Sequence, residues 1–97
     1  MVKMIETVEQ LQKYFDEHKI EGSVYFTEPS YVTAIVGMTQ DERLVYDYDK
    51  MVEFLMRQDN MSNEDAIEFI DFNTIRAIPF MGEKAPVVLY RDLLEMI

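Results

Sequence analysis

Asp47 and Asp49 open the one stretch of this chain that reads like a metal site. Two acids separated by one residue are how a calcium loop begins. The pattern then stops. Met51 stands at the third ligand position, Val52 where glycine makes the sharp turn, and Gln58 where the bidentate closing glutamate belongs. Asp49 is therefore expected to cap a helix, and Asp47 to be a solvated strand residue. Nucleophilic catalysis needs an activated serine, cysteine or threonine beside a base. The chain has no cysteine, and its serines fall at expected caps and turns. Its one histidine, His18, ends an expected helix, where the partial negative charge of the helix favours imidazolium in a structural role. The three glycines, Gly22, Gly37 and Gly82, are too scattered for a phosphate loop. Carboxylate pairs can do acid–base work, but 19 acids in 97 residues bring pairs together by chance. The sequence assigns no catalytic residue, no metal and no cofactor, and the chain is expected not to be an enzyme.

The most distinctive run is DFNTIRAIPFMG, residues 71–82. By helical spacing Arg76 shares a face with Phe69, Phe72 and Asn73, and no acid stands three or four residues before it. A cation set among aromatics stacks on a ring or reaches a distant carboxylate. The structural reading has Arg76 tie its helix to the hairpin through Asp47 or Glu83. The alternative is a ligand- or partner-binding role.

Charge says more than any motif. Lys and Arg number 9 against 19 acids, a formal net charge of -10. Such a chain repels nucleic acid, whose phosphates are bound by clustered cations, and is drawn to basic surfaces such as those of nucleic-acid-binding proteins. The candidate partner-binding residues are Glu64, Asp65, Glu68 and Asp71 on the third helix, Asp41 and Glu42 at a hairpin tip, and Arg76. Glu64, Glu68 and Asp71 share one helical stripe, giving negative charge at intervals like a phosphate strand. The plainer role for any one of these acids is solubility.

The elements that would position these residues follow from local signals. Thr7 and Gln10 form a capping box for a helix over 7–18, with Val8, Leu11, Phe15 and His18 on one face and Gly22 as the stop. Residues 23–27 read as a short strand broken by Pro29. Residues 31–39 read as a central strand with both faces apolar, paired in a hairpin with 43–48. Asp49 should cap a helix to about residue 59, with Val52, Leu55 and Met56 inward. Ser62 should cap a third helix, with Ala66, Ile67, Ile70, Thr74 and Ala77 inward, ended by Pro79. A loop over 82–86, a strand over 87–90 and a short helix over 92–97 complete the order; the rival is a tail over 87–97 that orders only against a partner or second copy. The eight methionines are expected mainly in the core. The reading is one compact domain over 1–97, of α+β class, with an antiparallel sheet of three to four strands and helices mainly on one face. Without cysteine, without the apolar run of a signal peptide and without about 20 consecutive apolar residues, it is expected in the cytoplasm, away from membranes.

The runs LVYDYDKMVEFLM and MSNEDAIEFIDFNTIRAIPFMGEKAPVV resemble, over roughly residues 34–90, a group of small, mostly uncharacterised proteins of Firmicutes and their prophages. In size and charge the chain is also similar to anti-CRISPR and DNA-mimicking anti-restriction proteins. That resemblance implies a phage or mobile-element inhibitor of a host nucleic-acid enzyme, such as a CRISPR nuclease, acting by filling its basic groove. The partner would be a basic protein. The alternative is a structural or regulatory adaptor, or a homodimer joined through the strand over 87–90.

Overall fold

The computed structural model describes residues 5–91. Its elements are α1 (Val8–His18), β1 (Ile35–Met38), β2 (Leu44–Asp47), α2 (Tyr48–Gln58), α3 (Asn63–Phe69) and β3 (Val87–Leu89). A widened π turn, Ile70–Ile75, continues α3, and single 3-10 turns occupy Val32–Ala34 and Ile78–Phe80. The fold is α+β with three strands, as expected. The helix expected over 92–97 lies outside the described residues.

Local chemistry starts α1 where the sequence places it. Thr7 Oγ1 accepts from the Gln10 amide at 3.2 Å, and Gln10 Oε1 accepts from the Thr7 amide at 3.2 Å. Leu11 and Phe15 are its buried residues. The helix stops before Gly22, because Lys19 turns left-handed at φ 55°. This lets the Ile20 amide donate to the Phe15 carbonyl at 2.9 Å and folds Ile20 against the core, the closure usual for a left-handed helix end.

The 23–27 segment is no strand. Its inward amides find other acceptors: Val24 donates to the Lys84 carbonyl and Phe26 to the Tyr46 hydroxyl, both at 3.2 Å. After a cis Glu28–Pro29 bond, Tyr31 takes φ 49°, so β1 starts only at Ile35. Burial overrides β-propensity here, since Tyr31 is fully enclosed.

The sheet order is β1-β2-β3, which puts β1 at an edge and makes β2 the central strand. The hairpin expectation stands: β1 and β2 are antiparallel, with Ile35 opposite Tyr46, Met38 opposite Leu44 and a bulge between Ile35 and Gly37. The sheet as a whole is mixed rather than antiparallel, because β3 runs parallel to β2, pairing Val45, Tyr46 and Asp47 with Val87, Val88 and Leu89. A parallel neighbour requires a long crossover, and residues 48–86 supply it. Leu44 and Tyr46 share one core with Leu11 and Phe15 of α1, Met51, Val52 and Leu55 of α2, and Ala66 and Ile70. All three helices thus contribute to the same core as the central strand. Burying a side chain such as Leu55 contributes about 1.5–3 kcal/mol.

Two expectations about the start of α2 are corrected. Asp47, not Asp49, is the cap: its Oδ1 accepts from the Lys50 amide at 3.1 Å. Nor is Asp47 solvated; it is buried and its other oxygen pairs with Arg91. Met51 replaces Met56 on the inward face, and Met56 is exposed.

Candidate functional site

Ser62 Oγ caps α3 through the Asp65 amide at 3.1 Å. Ala66, Ile70 and Thr74 are buried at four-residue intervals. An α-helix would bring Ala77 inward next, but the π turn carries about one extra residue per turn. Ala77 is therefore exposed and Ile78 takes its place against the core. Asn73 Nδ2 donates to the Phe69 carbonyl at 3.1 Å within the widened turn. Inside, Thr74 Oγ1 and the Tyr31 hydroxyl are 2.7 Å apart in a buried pair. Burial raises the Tyr31 pKa, against the opposing hydrogen bond with Thr74.

The outer side of the same segment is apolar and uncovered. Phe72 is 54% exposed and Phe80 is 90% exposed. Between them Arg76 lays its guanidinium over the Phe72 ring, 4.7 Å from the centroid. Arg76 does not reach the hairpin; the cation that takes Asp47 is Arg91. Phe72 with Arg76 over its ring, and the exposed Phe80 four residues further along the chain, form the ridge of this segment, in residue types enriched at protein interfaces.

The structure separates the candidate acids by what already holds them. Asp41 accepts a hydrogen bond from the Thr39 hydroxyl, which lowers its pKa. Glu42 Oε1 accepts from Lys84 Nζ at 2.8 Å, and the same ammonium donates to the Glu21 carbonyl at 2.8 Å. These hairpin acids close the turn and fasten it to the 21–24 segment. Asp71 accepts from the Tyr48 hydroxyl at 2.9 Å. Burial first, and this bond second, push the Tyr48 pKa up. Glu64, Asp65 and Glu68 are exposed, and among the described residues none of the three is in an ion pair. The acids left open thus sit on the first turns of α3, and the apolar ridge follows them along the chain.

Sequence reasoning found Arg76 and Phe72 but missed Phe80. An aromatic beside a proline reads as core, and only the register shift of the π turn and the 3-10 turn after it leave it outside. Among the described residues no group of three or more acids or histidines is placed to hold a metal ion, and no helix is long and apolar enough to cross a membrane. No family model, curated protein or solved structure matches this chain.

Proposed function

We propose that this chain is a non-catalytic, acidic protein-binding module that docks on a basic partner. The single observation that carries the reading is the exposed ridge of Phe72, Arg76 and Phe80. An aromatic as open as Phe80 gains about 1.5–3 kcal/mol when a partner covers it. Glu64, Asp65 and Glu68 supply the charge that steers a basic surface toward the ridge. The partner class this fits is a nucleic-acid enzyme whose cationic groove the module fills, excluding DNA or RNA. The resemblance in size and charge to phage anti-CRISPR and anti-restriction proteins points the same way, and a cytoplasmic site of action follows from that partner.

The test is displacement of labelled DNA from purified CRISPR nucleases and restriction enzymes, read by fluorescence anisotropy. The expected result is stoichiometric displacement from at least one enzyme, weakened by raised salt and lost in the Phe72→Ser/Phe80→Ser variant. Undiminished DNA binding across the panel sinks the inhibitor reading. One observation favours a second reading: among the described residues β3 is an edge strand, the kind of element that pairs with another chain. A dimer by sedimentation equilibrium, insensitive to salt, would move the function to a self-associating adaptor.

A further inference from the structure

Two hollows meet where the 27–30 loop faces α2 and α3. One, of about 390 Å³, is lined by Glu28, Pro29, Phe54, Asp59 and Phe69 among others. The second, of about 220 Å³, shares Glu28, Pro29 and Phe69 and extends past Asn73 to Met81. Together they form one shallow trough that passes Phe69. Asn73 and Ala77, which line its second part, each lie one residue along the chain from a ridge residue. A larger groove of about 530 Å³, between α1 and the hairpin, has Ile5 and Arg91 on its rim, and the chain continues from both. The trough beside the ridge borders neither.

Its chemistry is uneven. Phe54, Phe69, Pro29 and Met81 give it apolar walls among polar residues such as Thr27, Ser30 and Gln58; Glu28 borders both hollows and Asp59 the first. No lysine or arginine lines either hollow; Lys50 and Arg57 line a neighbouring one on the far side of Phe54 and Gln58, and among the described residues neither Glu28 nor Asp59 is in an ion pair. A trough with aromatic walls beside two carboxylates suits a guanidinium, which is planar, weakly hydrated, stacks on rings and gives carboxylates paired donors. An ammonium, strongly hydrated and without a flat face, suits it less. A protein of net charge -10 also meets such cations at enhanced local concentration.

We infer that the trough seats an arginine side chain of the basic protein that docks on the ridge. The inference rests on the protein-binding reading and adds the partner group that this surface selects. Arginine enters with its stem along Phe69 and Pro29 and its guanidinium toward Glu28 and Asp59.

The experiment is a titration of the ¹⁵N-labelled protein with a short peptide of alternating glycine and arginine, at about 0.15 M salt. The citrulline peptide, isosteric and uncharged, is the control. Amide shifts should saturate at Thr27, Ser30, Phe69 and Asn73, and citrulline should produce none. Glu28→Gln/Asp59→Asn should weaken binding by about tenfold or more, while Glu9→Gln/Asp16→Asn, which removes two exposed acids of α1, stays within about twofold. Shifts centred on the first turns of α3, shifts spread evenly over the surface, or equal binding of citrulline each overturn the arginine seat, as does a titration without shifts. None of these results touches the docking reading, which stands or falls on DNA displacement and its loss in the ridge variant.

Discussion

Two aromatic groups lie back to back in this molecule and behave in opposite ways. Inside, Phe26, Tyr31 and Tyr46 pack with ring centroids 4.8–5.5 Å apart, and each hydroxyl has a partner. Outside, Phe72 is half-exposed with the Arg76 guanidinium across its face, and Phe80 is almost wholly open. Thr74 of the inner group stands two residues from both Phe72 and Arg76 of the outer one. Residue type therefore does not separate the two groups. The π turn does, by fixing which residues of one continuous segment face in. The inner group holds the fold, and the outer group is available to a partner.

The sharpest test of this contrast is truncation on each side. Tyr46→Ala should cost about 3–5 kcal/mol of stability in urea melts, with the Phe26 amide left unpaired as well. Phe80→Ala should stay within about 0.5 kcal/mol. Equal costs would break the comparison. Alkaline pH should also act on the inner group and not on the outer one, with Tyr48 adding to the response in the same direction. Burial pushes the Tyr46 pKa from 10.0 up to about 12. The folded state thus favours the neutral phenol, and the unfolded chain ionises first. Stability should be intact below pH 10 and fall between pH 10 and 12, by on the order of 2 kcal/mol, with a shallower fall in Tyr46→Phe.

A smaller effect is expected where the two groups join. Thr74→Val leaves the buried Tyr31 hydroxyl unpaired and should cost about 1–3 kcal/mol, and Thr74→Val/Tyr31→Phe should recover much of it. Amide exchange over 70–75 should quicken in the single variant and slow again in the double one. The smallest stability effect belongs to Phe72→Ser/Phe80→Ser, within about 0.5 kcal/mol per site, although DNA displacement should drop by about tenfold or more. Intact displacement would remove the ridge from the function.

What could be read in the sequence was what local chemistry decides. Thr7 and Ser62 announce their helices because a cap is settled within four residues. The β1–β2 hairpin is likewise settled by neighbours in the chain. Most of the misses are non-local. The parallel register of β3 depends on residues some forty positions away. Tyr31 adopts a left-handed backbone because its ring is enclosed by Phe26 and Phe54. Asp47 was misplaced because a strand residue can also be a cap, and its ion-pair partner lies across the crossover. Of the candidate acids, charge alone could not tell Glu42, tied to Lys84, from Glu64 and Glu68. Glu28 and Asp59 have no spacing in common, and only the fold brings them to one trough.

The Asp47–Arg91 pair has a consequence for the order in which the chain assembles. Asp47 is where the backbone leaves the sheet, and Arg91 follows the strand that returns to it. Joining them closes a loop of roughly 40 residues, an entropic toll of about 3 kcal/mol, roughly twice what the neighbouring β1–β2 hairpin faces. Contacts of such sequence separation form late. The hairpin and helices come first, and β3 with its carboxylate–guanidinium latch comes last. The flank of β2 is thus the last part of the sheet to be covered.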